Sequence, residues 1–390
     1  MKFLSMIVFI QNQFIKKWFY DIDKYTLFFA IGLITIGVIM SLSIGPVVAI
    51  RLHLNEYYFT KRHIFFAILS ILIIIFCSMM SISSILNISY LGFFIFFIIL
   101  ILCILLGSDI KGSKRWINLG FFALQPSEML KPFFIVLNAH FLSTSKINKI
   151  SSIVSCFMLF SVLILLLKQP DFGMSILYIF TWTIQVFLGS IDMLSFIGVI
   201  IVCFVALGTI GFFLFPHFHN RIVNFFTLSA GHEHYQTKKA IESIYNGGLF
   251  GTGLCEGDVK YQLPDAHTDY IFSSICEELG IIIACIMLIS YLMLSYRHIV
   301  SNLFAPKYNI RVIYGLTLIF VLQSILHIGI NINLLPSKGM TLPFISYGGS
   351  SMLSNAIIIG FLLAFTRKSY AYKTPYRNFE NYLRIKNSKQ

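Results

Sequence analysis

Charge is what this sequence has least of. Only 12% of its 390 residues are Asp, Glu, Lys or Arg, and just 16 are acidic. A soluble domain carries about 25% charged residues, so a surface that faces water all round is excluded. Cysteines do not come in pairs: the seven, at 77, 103, 156, 203, 255, 276 and 285, include no CxxC. That spacing gives no disulfide framework and leaves small buried thiols. A cleavable leader is missing as well. Met1 to Ile10 is basic and apolar but too short for the core of a signal peptide, and no small-residue cleavage site follows. The N-terminus is therefore expected to be retained. No internal repeat of the inverted-transporter kind stands out. No patch interleaves basic and aromatic residues as nucleic-acid sites do, so the net charge of +13 does not point to nucleic acid.

What is there is grease. Hydrophobic residues make up 57% of the chain, with 40 Phe. Stretches able to cross about 30 Å of hydrocarbon run near 26–49, 64–83, 88–106, 129–143, 151–168, 172–190, 194–215, 270–295, 312–334 and 350–366. The expected fold is an all-α polytopic membrane protein of ten helices, spanning 26–366. A cytoplasmic segment, 1–25, precedes it, and a basic tail, 367–390, follows. If both termini lie inside, the inner segments carry 16 basic residues against 12 outside. Four of those 12 fall in the long segment 216–269, which counts weakly, so the positive-inside rule favours N-in, C-in. Every unusual segment then faces out: 107–127, 168–171, 216–269 and 335–349.

Several constellations in these segments carry chemistry. Lys114, Arg115 and Trp116 read either as an interfacial belt or as a phosphate- or sugar-binding patch. Ser127 suits a helix cap, and Glu128 and Lys131 share a helix face, as a structural ion pair or as part of a site. In Lys168-Gln169-Pro170-Asp171, Pro170 stops one helix, and Asp171 either caps the next or contacts substrate. The glycines of Asn246-Gly247-Gly248-Leu249-Phe250-Gly251-Thr252-Gly253 follow no strand, so they are sharp turns and no dinucleotide fingerprint. The His residues of 216–269 match no zinc spacing. Two prolines and three glycines in 335–349 forbid a plain helix there, and irregular backbone at membrane depth lines a cavity or packs in protein. Asp269 sits where the long polar loop meets an apolar run, so an ionisable group stands at a helix entrance, a functional-site signal by default. Asp265 reads as a turn residue. Glu277 and Glu278, on a straight helix, would lie about 12–13 Å deeper than Asp269 and brace the bundle.

RWINLG with QPSE, QPDFG, YQ…NGGLFGTG, PDAHTDYIF…EELG and PSKGMTLPFISYGGSS occur in that order over residues 17–368. Together they resemble the SEDS family (shape, elongation, division, sporulation), and within it the FtsW branch more than the RodA branch. The resemblance implies a peptidoglycan glycosyltransferase that polymerises lipid II at the outer face of the bacterial cytoplasmic membrane, at the division septum. It implies undecaprenyl pyrophosphate as leaving group and a class B penicillin-binding protein as partner. Asp269 matches the family's essential aspartate and is expected to be the general base. Arg115, Trp116, Glu128, Lys131 and Asp171 are expected to bind substrate. So are Arg221, Gln236 and His267 in the long loop, and Lys338, Ser346, Tyr347, Gly348, Gly349 and Ser350 in the last. Arg221, Lys131 and Lys338 would face the pyrophosphate, with a divalent Mg or Mn ion as a further counter-charge. Ten helices with intramembrane charges also fit a lipid II flippase, and a non-catalytic divisome scaffold is a third reading.

Overall fold

The computed structural model describes residues 16–110, 113–120, 122–144, 149–188, 232–336 and 339–367, with single positions between 198 and 223. The expected span at 194–215 and the site candidates Arg221 and Lys338 lie outside the described residues.

Apolar runs become helices where the sequence reading places them. In chain order these are α1 (Lys24–Arg51), α2 (Tyr58–Met79), α3 (Ile82–Leu106), α4 (Pro126–Thr144), α5 (Lys149–Lys168) and α6 (Phe172–Phe187). After the long loop begins, α7 (His232–Gly247), α8 (Ile271–Ser301), α9 (Lys307–Asn331) and α10 (Gly349–Phe365) follow. Six of them are long and apolar enough to cross a membrane, and α6 and α10 are shorter apolar helices. With no water to bond backbone groups in hydrocarbon, helices satisfy them internally. The chain is a multi-pass, all-α membrane protein.

Two local details differ from expectation. The segment after α3 forms a small antiparallel sheet, β1 (Ser108–Ile110), β2 (Ser113–Asn118) and β3 (Ala123–Leu124), in the order β1-β2-β3. Helix α4 begins at Pro126, where a missing N–H costs nothing, so Ser127 lies inside the helix. Asp171, by contrast, caps α6 as expected, its carboxylate accepting from the Met174 N–H at 3.5 Å.

Helix α9 is the centre of the bundle: 78% of its apolar window is buried, against 22% for α3 at the rim. Segments that the topology assigns to the outside meet at one end. Arg51, closing α1, donates to the carbonyls of Lys260, Tyr261 and Leu263 at 3.0 Å each. Arg115 on β2 donates to the Gln169 carbonyl at 3.3 Å and to that of Pro170. At the opposite end Arg297 pairs with Asp23 at 2.8 Å, and Thr26 bonds His298 at 2.8 Å.

Helix α8 is not one straight rod. Gly280 holds φ +85°, outside helical geometry, and divides it into 271–279 and 281–301. The cause is a close backbone approach. A Cβ at Gly280 would collide with the Leu249 carbonyl, and one at Gly247 with the carbonyl of Cys276. The glycine-rich turn thus packs its main chain directly on the break, a fit only glycine permits.

Candidate active site

Asp269 lies near the end of a run of turns, 264–270, that enters α8. Its N–H donates to the Asp265 carbonyl at 3.1 Å, so Asp265 is the turn residue the sequence suggests. The Asp269 side chain is half-buried. Across from it runs 339–348, the irregular stretch between α9 and α10. These two segments are stitched together. The Tyr347 N–H donates to the His267 carbonyl at 2.9 Å, and Ser346 Oγ donates to that of Thr268 at 2.7 Å. A Cβ built on Gly339 would stand 3.6 Å from Asp269 Oδ2. The motifs around Asp269 and Ser346, some 80 residues apart in the chain, are therefore one structure.

This irregular backbone is packed in protein, as its position demands. Its Phe344 carbonyl lies against Gly37 of α1, where any Cβ would collide. His267 sits between the rings of Phe59 (4.8 Å) and Tyr347 (5.6 Å). Burial pushes its imidazole down to about 4, so it is neutral near pH 7 and serves as a wall of the site. Burial also raises the Tyr347 hydroxyl, opposed by a hydrogen bond from Arg62. That guanidinium stacks over Tyr58 at 4.1 Å.

The scaffold beneath was missed by sequence reasoning, although a signal for it existed. Gln323, His327 and Asn331 recur every fourth residue on one face of α9, all 0–1% exposed. Gln323 Nε2 donates to Thr341 O at 3.0 Å, and His327 Nδ1 bonds Met340 O at 2.7 Å. Asn331 Nδ2 donates to the Asp269 carbonyl at 2.9 Å, while its Oδ1 accepts from Ser273 N and Oγ at 3.1 and 2.8 Å. This polar ladder fixes both walls at once. Asn331→Leu leaves several buried groups without partners, so it is expected to lower stability by about 1–3 kcal/mol per group, read as a drop in thermal midpoint.

A second cluster lies beside the first. Lys131 is fully buried and ion-pairs with Glu128, and its ammonium donates to Gln323 Oε1 at 2.6 Å. Glu128 and Gln323 thus balance its charge, which supports the structural reading of the pair. Arg115 pairs with Asp171 at 3.8 Å. Trp116 is half-buried on β2, opposite Ser108. Ser350 Oγ accepts from the Gln125 N–H at 3.2 Å and donates to Ala123 O at 3.4 Å, which ties α10 to β3. Gly348 and Gly349 lead into α10, with Gly349 against the Phe66 ring. Gln236 is half-buried on α7, away from these contacts.

Glu277 and Glu278 brace the bundle through polar groups on neighbouring helices, Ser243 and Ser43, and tie the outer loop to it. Glu277 Oε1 accepts from the N–H groups of Asp258 and Val259 at 3.0 Å each. Glu278 Oε1 receives the Lys260 ammonium at 2.7 Å and the Ser43 hydroxyl. Ser43 stands about 28 Å above Lys24 along α1, level with the outer edge of about 30 Å of hydrocarbon.

Among the described residues, no group of three or more His, Cys, Asp or Glu converges as a metal site. Asp269 alone does not make one.

The description that matches this chain is that of the cell cycle proteins FtsW, RodA and SpoVE, over residues 24–371. The chain belongs to the FtsW/RodA/SpoVE family. This is the SEDS family suggested by the motifs. Among the family's members, the chain is 33% identical over 356 residues to a protein of Caulobacter vibrioides, covering 90% of each. It is 32% identical over 368 residues to one of Coxiella burnetii, covering 91% of this chain and 98% of that one. Both carry the name probable peptidoglycan glycosyltransferase FtsW. Two solved structures share the family fold at 21% identity, each match covering 90% of this chain and 98% of the other. A chain of a peptidoglycan synthase complex gives a TM-score of 0.73, and Thermus thermophilus RodA gives 0.65.

Proposed function

We propose that this family member is a peptidoglycan glycosyltransferase that polymerises lipid II at the outer face of the cytoplasmic membrane, during septal wall synthesis. The observation that carries the reading is the stitched pair of segments, which presents one carboxylate, Asp269, on a rigid support at the outer end of the bundle. The names of the relatives supply the substrate class. Asp269 takes the proton from the acceptor sugar's 4-hydroxyl as that oxygen attacks the donor anomeric carbon. Undecaprenyl pyrophosphate departs, its lipid tail remaining in the bilayer.

The leaving group needs cations. Arg51, Arg115, Lys131 and Lys260 are each bound to protein groups. Arg221 and Lys338 are the proposed cations, with Arg62, half-exposed and hydrogen-bonded to Tyr347, at the edge of the same site. A Mg or Mn ion belongs to the proposal only as a counter-ion to the pyrophosphate, with Asp269 its one protein carboxylate. A class B penicillin-binding protein that crosslinks the nascent strands is the proposed partner.

One observation favours the flippase as a second reading. Buried polar groups continue towards the inner end, where Asn138 donates to Gln185 at 2.7 Å and Gln185 to the Arg311 carbonyl at 3.1 Å. These groups bond one another and are at most 4% exposed, which suits a bundle brace better than a lipid path. Proteoliposomes containing lipid II separate the readings. With the penicillin-binding protein present, glycan chains are expected without exchange of lipid II between leaflets. Exchange without chain growth would overturn the polymerase assignment.

A further inference from the structure

The turn that packs on Gly280 has an outer side that the reaction does not use. From Ser243 to Cys255 the chain carries no charged residue, although Glu242 and Glu256 bound it and the segment belongs to the outer loop. Its large side chains point away from the protein: Tyr245 is 81% exposed, Leu249 61%, Phe250 82% and Leu254 50%. Single exposed apolar residues are ordinary, but a contiguous group marks an interaction surface.

The backbone fixes what this group meets. Gly248 O accepts from the Ile281 N–H at 3.1 Å, and Leu249 O from that of Ile282 at 3.3 Å. Ile281 starts the second half of α8, whose outward side carries exposed Ile282, Ile283, Ile286 and Ile289. From Ile281 to Ser301 this half is about 31 Å long, one hydrocarbon thickness. The turn therefore sits level with the outer hydrocarbon boundary and continues the apolar stripe of α8 without a break. Of the nearby charges, Glu277, Glu278 and Lys260 are buried, while Glu256 and Asp258, just past the tip, are exposed and bound the stretch that inserts.

We propose that the 245–254 tip inserts among the acyl chains of the outer leaflet and anchors the long loop to the lipid surface. Leu249 and Phe250 are the wedge, and Tyr245 lies at the headgroup level, where an aromatic ring with a polar end is favoured. Because Gly247 and Gly251 pack on 276–280, the anchor also holds the Lys260–Glu278 clamp at the membrane boundary. This inference does not depend on the catalytic reading. Its occupant is lipid, argued from continuity with the α8 stripe.

Collision accessibility tests it on the full chain in phosphatidylethanolamine/phosphatidylglycerol nanodiscs. Nitroxides are placed through Leu249→Cys, Phe250→Cys, Ile286→Cys and Glu256→Cys in a background with the native cysteines replaced by alanine. Side chains at all four positions point outwards, so the labels leave the packing intact, and a thermal melt checks this. Labels at 249 and 250 are expected to collide with oxygen over a water-soluble nickel chelate by at least about threefold more than the label at 256, and to match the one at 286. A chelate-dominated signal at 249 and 250 overturns the proposal. So does protection that arises only when the penicillin-binding protein is added, which assigns the patch to a protein partner. Quenching of Phe250→Trp by brominated lipids gives an independent reading: strong quenching supports insertion, and none refutes it.

Discussion

Asp269→Asn is expected to slow lipid II polymerisation by about 10²- to 10⁴-fold, the contribution typical of a positioned general base, while the protein melts as the wild type does. The two parts of this result have different physical origins. Asparagine matches aspartate in shape but has no basic oxygen for the sugar proton. Two contacts that hold the position run through the main chain: its N–H to Asp265 O and its carbonyl from Asn331. Neither requires a carboxylate, so the wall should stay in place. Chain growth is measured on the purified protein with the proposed penicillin-binding partner. A variant that polymerises at close to the wild-type rate would remove Asp269 from the chemistry. Growth supported by the variant in cells would favour the scaffold reading.

Lys260→Met is expected to be the most destabilising single change on the outer side. The ammonium donates to Glu278 Oε1 at 2.7 Å and to Ser43 Oγ at 3.0 Å, and both charged residues are 2% exposed. Removing one member of a buried pair strands the other charge, at a cost of about 3–5 kcal/mol. Glu278→Gln in the same chain removes the stranded charge and keeps an acceptor for the Cys255 N–H, which now bonds Glu278 at 3.3 Å. The double variant should therefore recover much of the loss in thermal midpoint. If it melts no higher than Lys260→Met, charge burial is not the origin of the instability.

The helices were legible because hydrocarbon leaves the backbone few choices, and their apolar runs exceed 15 residues almost everywhere. Irregular backbone at 335–349 was legible from its prolines and glycines. Asp269 stood out as a candidate because an ionisable group where a polar loop meets an apolar run is a functional-site signal by default. What could not be read is pairing between distant segments. Nothing in the sequence joins Ser346 to Thr268, or Lys260 to Ser43. The break in α8 could not be read either, because Gly280 looks like an ordinary helix glycine until the carbonyl of Leu249 is seen against it. Nor could the bond from Lys131 to Gln323, 192 residues away, be read. The α9 ladder was readable in principle: Gln323, His327 and Asn331 at a spacing of four, inside an apolar run, mark a polar stripe that must face a partner.

The Glu278 clamp also bears on the order in which the molecule can be assembled. Ser43 and Glu278 are 235 residues apart, and ribosomes add about 5–20 residues each second. The first helix thus waits roughly 10–50 s for the carboxylate that completes its contact. The loop that carries Lys260 emerges before α8 and must remain outside until that helix is inserted. The wall opposite Asp269 is made later still, when 339–348 threads in ahead of α10. A chain cut short before α9 would keep Asp269 and the Glu278 clamp but lose Asn331 and the wall, so the end around Asp269 can form only near the close of synthesis.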